Sequence, residues 1–379
     1  MKKLFITLLF FYPLILTAEE APVDLIPTPP PIEANAYILQ DFHSGYNIMK
    51  KSVEEKIEPA SLTKLMTAYI VFEKLQTEEI KLTDTAKVSN NAWTMKGSRM
   101  YLEADTLVTI EDLLKGMIIQ SGNDASVALA EHIAGSEEKF VNLMNEKAKA
   151  LGLTDTHYVN STGLPAENHY TTVNDLVKIT RLLIEKFPSY YGWYSEKEFT
   201  YNNITQSNRN LLLWRNKHVD GIKTGYTERA GYCLVASAKQ DNMRLISVVV
   251  GTNGKKQRAD ETEKMLDYGF QFFNTYQLYK AGEALNTEKV WKGSADQVQL
   301  GLGSPLFITI PKGQYKQLKA ALHIDKHITA PIKQGNVYGA LKINLGNQLI
   351  AEQPLVALHP VELGNWWQQL VDFTLLQFE

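Results

Sequence analysis

A single cysteine, Cys233, stands in 379 residues. One thiol excludes an intramolecular disulfide framework and any metal site built from several cysteines. His323 and His327 are four apart, as zinc ligands on a helix can be, but no Glu follows the first, so they read as surface histidines. A large excess of either charge is also lacking. The net charge is −3, which provides no basic field to attract nucleic acid. No internal repeat is visible, and the apolar run near the N-terminus is shorter than the ~20 residues that a membrane span requires.

Apolar residues make up 44% of the chain, enough for sizeable cores, and the length suits two domains with appendages. Lys2 and Lys3 precede an almost wholly apolar stretch, residues 4–16, which ends in Thr17-Ala18. That pattern is a secretory signal peptide, residues 1–18, with cleavage expected after Ala18 despite Leu16 at the −3 position. The mature protein is therefore expected outside the cytoplasm. Residues 19–35 read as an extended lead-in, rich in proline and acidic side chains at its start.

Residues 37–41 read as a strand, with a turn at His43-Ser44-Gly45 and a second strand over 46–49. Pro59 opens a helical pattern that runs to about residue 75, and further helices are expected over 110–119, 124–133, 137–150 and 172–185. Past Lys217 the period changes, and 219–225, 231–238 and 244–251 read as strands, followed by a helix over 258–273. Strands at both ends of this region with helices between predict a sheet built from both ends beside a helical cluster, residues 36–274. Residues 275–360 turn to short β segments (306–310, 338–345, 349–358) and read as a smaller all-β domain.

Three short motifs follow in order: Ser61-Leu-Thr-Lys64, Ser121-Gly-Asn123 and Lys223-Thr-Gly225. A serine hydroxyl needs a base to become a nucleophile. Helix positions three apart share a face, so Lys64 can reach Ser61 Oγ, and Ser61 lies near a helix start whose free N–H groups can face a developing oxyanion. Lysine serves as a base only with a lowered pKa, which burial and a second cation, Lys223, would provide. A strand carrying Lys-Thr-Gly at the edge of a site can pair with an extended peptide while Lys223 and Thr224 bind an anionic group.

Each motif alone is weak. Ser136-Glu-Glu-Lys139 repeats the first spacing and Ser89-Asn-Asn91 the second. Ser136 follows Gly135 and reads as a helix cap. Ser61 differs in its post-proline setting, and Lys-Thr-Gly occurs once.

From residue 36 onward the chain resembles the low-molecular-mass penicillin-binding proteins, specifically the D-alanyl-D-alanine carboxypeptidases. Beyond the three motifs, the resemblance includes Gln120-Ser-Gly-Asn-Asp-Ala125, Asn208-Arg-Asn210, Ala230-Gly-Tyr232, Leu234-Val-Ala-Ser237 and Met243-Arg-Leu-Ile-Ser247. It implies an α/β, β-lactamase/transpeptidase-like catalytic domain, an antiparallel sheet with a helical cluster, followed by the small all-β domain. It also implies removal of the terminal D-alanine from peptidoglycan stem peptides through an acyl-enzyme on Ser61, acylation by β-lactam antibiotics, and no cofactor or metal. Lys64 would take the Ser61 proton, Ser121 would pass a proton to the leaving amine, and Asn123 would hold Lys64 or the substrate amide. Lys223 would set the electrostatics, Thr224 and Arg258 would bind the terminal carboxylate, and the backbone N–H groups of Ser61 and Tyr226, just after Gly225, would form the oxyanion hole. Two departures stand out: Ser-Gly-Asn, the carboxypeptidase form, replaces Ser-Asp-Asn, and position 226 is tyrosine where relatives often carry His or Thr.

A β-lactamase or a D,D-endopeptidase of the same fold is the alternative, as is a non-catalytic wall-peptide scaffold. No Glu-x-x-Leu-Asn precedes Lys-Thr-Gly, as class A β-lactamases would need, and intact Ser61, Lys64, Ser121 and Lys223 argue against a scaffold. Residues 361–379 read as an amphipathic helix carrying Trp366 and Trp367, too short to span but suited to a membrane interface. The resemblance implies anchoring at the periplasmic face of the cytoplasmic membrane. No Lys or Arg follows Lys342, so that contact would rest on apolar burial.

Overall fold

The computed structural model of the chain describes residues 26–377. The expected signal peptide, residues 1–18, and the first part of the lead-in lie outside the described residues, as does Phe378. Strands β1 (Ala36–Asp41) and β2 (Asn47–Lys51) form a hairpin, and β3 (Val219–Thr227), β4 (Gly231–Gln240) and β5 (Met243–Thr252) form a meander. They join in one antiparallel sheet in the order β2-β1-β5-β4-β3, with Ala36 opposite Val250. The two ends of the catalytic region thus meet in mid-sheet, and β3 is an edge strand.

Both faces of this sheet are covered, which explains why β5 is nearly continuous in apolar residues rather than alternating with polar ones. Ile38, Val235, Ile246 and Val248 face the helical cluster. Their neighbours Leu39, Leu234, Leu245 and Val249 face the opposite way, onto Met265 and Leu266, as the period of two requires. The cluster is built from α1 (Lys64–Gln76), α2 (Ile110–Ile119), α3 (Asn123–Ala134), α4 (Glu137–Ala150) and α5 (Val173–Lys186); α6 (Lys255–Phe272) covers the other face. Thr109, Ser136 and Thr172 cap α2, α4 and α5 by accepting the N–H groups of Asp112, Lys139 and Asp175. The second S-x-x-K match is therefore a helix cap. Ser89 likewise accepts from the Ala92 N–H at the start of a short helix.

Three expectations shift. The helix predicted from Pro59 begins as a 3₁₀ turn, Ala60–Thr63, and becomes α-helical only at Lys64. The helix predicted from residue 258 starts at Lys255. Short hairpins pair Thr85–Lys87 with Leu107–Thr109 and Glu198–Tyr201 with Ile204–Ser207, where no strand was expected.

The last ten residues of the lead-in are strapped onto the domain. Tyr268 Oη donates to Pro27 O at 2.9 Å, Lys264 Nζ to Pro31 O at 3.3 Å, and Lys51 Nζ to Ala34 O at 2.9 Å.

The second domain begins with β6 (Phe273–Tyr279), directly after α6, and continues through β7 (Ala284–Trp291), β8 (Gln297–Leu302), β9 (Leu306–Pro311), β10 (Leu318–Ile324), β11 (Val337–Leu345) and β12 (Gln348–Ala357). β6 pairs with β9, and the rest form a sheet in the order β10-β11-β12-β8-β7, closed by Ile328–Thr329. The joint between domains is polar and satisfied. Buried Asp41 accepts from Ser44 Oγ at 2.8 Å and Thr275 Oγ1 at 2.7 Å, and Thr309 Oγ1 lies 2.6 Å from Ser44 Oγ. His323 and His327 are exposed and lie on β10 and the turn after it, not on a helix.

The C-terminal segment forms α7 (Trp366–Leu375), opened by a capping box between Asn365 and Gln368, with no buried residue. Among the described residues no helix is long and apolar enough to cross a membrane.

Candidate active site

The nucleophile candidate owes its position to local backbone. Pro59 fixes its own φ at −69°, and Leu62 N–H donates to Pro59 O at 3.1 Å, winding the 3₁₀ turn that carries Ser61. In that turn side chains three apart eclipse, so Lys64 Nζ comes to 3.2 Å from Ser61 Oγ. Two loops press on the turn. A Cβ at Gly163, where φ is +86°, would sit 1.7 Å from Ala60 O, and one at Gly225 would meet Ala60 Cβ at 3.1 Å. Only glycine allows the first approach, and the second is tight.

Lys64 is buried with three partners. Besides Ser61 Oγ, Nζ lies 2.7 Å from Asn123 Oδ1 and 2.6 Å from Thr162 O. Asn123 Nδ2 donates to Lys96 O at 2.6 Å, which fixes which end of the amide faces Lys64. Neither Asn123 Oδ1 nor Thr162 O can donate. A neutral amine spends its two N–H groups on them, and its lone pair then faces the Ser61 hydroxyl. Burial pushes the Lys64 pKa down to about 7, helped by the Arg209 guanidinium and opposed by Asp124 and Glu137.

Arg209 is a further cation beside Lys64, and Lys223, the cation expected to depress Lys64, lies close enough for the two amines to repel each other. Lys223 is itself buried, and burial first, then Lys64, Arg209 and Arg258, hold its pKa well below the ordinary value. Its Nζ donates to Thr224 O at 3.2 Å. Arg258 is held by backbone carbonyls: Nη1 donates to Gly225 O at 3.1 Å and Nη2 to Arg209 O at 3.4 Å. Among the described residues none of Lys64, Lys223, Arg209 and Arg258 has a carboxylate within ion-pair distance.

Ser121 differs from expectation. Its Oγ is buried and makes no hydrogen bond to Lys64 or to any other group among the described residues. The residue has a left-handed φ of 66°, and the following Asp124 ties the facing loop by accepting the N–H groups of Met100, Tyr101 and Leu102. A buried orphan hydroxyl is unusual, and this one lies at the wall of a cleft.

That cleft, about 710 Å³, is lined by Ser61, Ser121, Asn123, Thr224, Gly225, Tyr226 and Arg258, with Thr162 and Arg209. Lys64 and Lys223 are buried beside it: Lys64 bonds Ser61, Asn123 and Thr162, and Lys223 lies close enough to Lys64, Arg209 and Arg258 for their charges to repel. All nine residues singled out in the sequence therefore converge on one site. A larger crevice of about 1100 Å³ at the domain joint contains none of them. Sequence reasoning missed two contributors. Arg209, whose Nε donates to Gln120 Oε1 at 2.7 Å, was visible only within Asn208-Arg-Asn210. The Thr162 carbonyl is backbone and leaves no side-chain signal.

Residues 24–254 match the family model for D-alanyl-D-alanine carboxypeptidase, and residues 273–363 that for the penicillin-binding protein 5 C-terminal domain. The D-alanyl-D-alanine carboxypeptidase DacC of Escherichia coli is 44% identical over 357 residues, covering 92% of this chain and 89% of that protein. Penicillin-binding protein 5 from Haemophilus influenzae superposes with a TM-score of 0.86 at 41% identity, covering 88% of this chain and 99% of that one. The ampicillin-bound form of penicillin-binding protein D2 from Listeria monocytogenes matches with a TM-score of 0.58 at 28% identity, over 63% of this chain and 98% of that one. The two family models together cover both domains, and the similarity to DacC extends over most of the length of each chain: this chain belongs to the D-alanyl-D-alanine carboxypeptidase family.

Proposed function

We propose that this chain is an exported serine D-alanyl-D-alanine carboxypeptidase, which removes the terminal D-alanine from peptidoglycan stem peptides through an acyl-enzyme on Ser61 that β-lactams also form. The observation that carries this reading is Lys64, buried, facing Ser61 Oγ at 3.2 Å and held by two acceptors that leave its lone pair for the hydroxyl.

In this mechanism Lys64 Nζ takes the Ser61 proton as Oγ attacks the carbonyl of the penultimate D-alanine. The backbone N–H groups of Ser61 and Tyr226 receive the oxyanion. Leu62 is the first amide of the turn with a backbone acceptor among the described residues, which supports a role for the Ser61 N–H ahead of it. The C–N bond then breaks, and the Ser121 hydroxyl, free of other partners, passes a proton from Lys64 to the leaving amine. Water hydrolyses the ester by the reverse route. Thr224, Lys223 and Arg258 hold the terminal carboxylate; the lack of any protein carboxylate near these cations supports that assignment. Serine chemistry of this kind needs no metal or organic cofactor.

The reading extends to the rest of the chain. The signal peptide is residues 1–18, the catalytic domain 36–274 and the all-β domain 275–360, a division supported by the change from α6 to β6 at Phe273. Residues 361–379 would lie on the periplasmic face of the cytoplasmic membrane. The absence of buried residues in α7, with Trp366 and Trp367 both exposed, supports this.

Incubation with a labelled penicillin, followed by peptide mapping, tests the core of the proposal. Label is expected on Ser61 and is absent from Ser61→Ala; label elsewhere, or none, overturns it.

A further inference from the structure

Tyr226 follows Lys-Thr-Gly, and its side chain has no part in the chemistry above. It is 51% exposed, yet it is not loose. Its ring packs on that of Tyr232, directly opposite on β4, with centroids 4.3 Å apart and planes inclined by 33°. Tyr232 in turn carries the Arg258 guanidinium, 5.7 Å from its ring centroid. Side chains two apart on a strand point the same way, so Thr224 and Tyr226 share one face of β3, and both line the cleft with Tyr232 and Arg258.

This places a hydroxyl, a guanidinium and an aromatic wall side by side. A ligand whose carboxylate is held by Thr224 and Arg258 must set the atoms next to that carboxylate against the wall. In a peptide, the atom next to the terminal carboxylate is the last Cα, with its side chain.

We propose that Tyr226, braced by Tyr232, is the specificity-determining residue for the leaving amino acid: its ring packs on the methyl group of the terminal D-alanine and selects it over glycine. The inference rests on the reading that the leaving group is a terminal amino acid with a free carboxylate, and deepens it by assigning the side-chain subsite. The chemistry of the wall is apolar, so it recognises a small alkyl group rather than a polar one.

The test compares kcat/KM for two acyl peptides that differ only in the last residue, D-alanine or glycine, by measuring the amino acid released. Wild type is expected to prefer D-alanine by about fourfold, the value of one buried methyl group. Tyr226→Phe keeps the preference, and Tyr226→Ala brings the ratio close to one. Both rates come from one preparation, so the ratio does not depend on the fraction folded or on a general loss of rate. A Tyr226→Ala ratio equal to wild type overturns the inference. So does a wild-type chain that takes penicillin label on Ser61 but releases glycine as fast as D-alanine. A wild-type chain with neither label nor release overturns instead the catalytic reading on which the inference stands.

Discussion

The rate of acylation should report the protonation of Lys64. An ordinary lysine amine is neutral in only about one molecule in a thousand at pH 7.4. Lys64 is 1% exposed and its pKa falls from 10.5 to about 7, so roughly two thirds of molecules hold the free base at that pH. The shift corresponds to roughly 5 kcal/mol of preference for the neutral form, supplied first by burial and then by the Arg209 charge. The assay is the stopped-flow rate of acylation by a fluorescent penicillin across the neutral range. Below the midpoint the logarithm of the rate should climb with unit slope, and it should level off above about pH 7. Arg209→Gln removes a like charge and should move the midpoint upward. A rate independent of pH, a midpoint near that of a free lysine, or a downward shift in Arg209→Gln would refute the assignment of Lys64 as the base.

The same group leaves a mark on stability. Between the folded pKa of about 7 and the ordinary 10.5 the unfolded chain holds a proton on Lys64 that the folded chain lacks, so stability rises with pH in this window, by at most about 1.4 kcal/mol per pH unit. The difference in urea unfolding free energy between wild type and Lys64→Met should grow with pH there; a constant difference would contradict the buried neutral amine. Gly163→Ala forces a Cβ into Ala60 O at a φ of +86°. It should destabilise the fold by at least about 2 kcal/mol and slow acylation, read by urea melts and labelling. Deleting residues 365–379 should abolish binding to lipid vesicles while leaving acylation in solution unchanged. With no Lys or Arg after Lys342, the binding of the full chain should vary little with the anionic lipid content.

Much of this site was legible because its chemistry depends on side chains at fixed offsets. Ser61 and Lys64 are three apart, and the Lys-Thr-Gly strand was marked by a change of period past Lys217. The true and false S-x-x-K matches separated by context, since Ser136 follows a glycine whose left-handed φ of 81° ends the previous helix. What stayed hidden was set by the fold. Arg209 acts on Lys64 through space, from a loop far away in sequence, and Thr162 contributes a carbonyl that any residue possesses. The second domain shows a similar limit. β10, Leu-Lys-Ala-Ala-Leu-His-Ile, is largely exposed and has a composition that suits a helix. It is a strand because β11 offers a ladder of partners from Leu345 to Gly339. β6, rich in aromatic residues, continues directly from α6, so no turn signal separated them.

The position of β3 at the end of its sheet has one more consequence. An unpaired strand edge is a template for any passing backbone, and proteins usually blunt such edges with charge, proline or a bulge. Here the strand must keep its edge receptive if a peptide is to lie along it. The 3₁₀ turn runs close beside it, near enough that a Cβ at Gly225 would meet Ala60 at 3.1 Å and Leu62 at 3.3 Å. A single extended chain brings only its own backbone to that edge, whereas another folded sheet would also bring its bulk against the turn. The wall that carries the nucleophile also guards against self-association, so an enzyme kept ready to bind strands need not polymerise through its own.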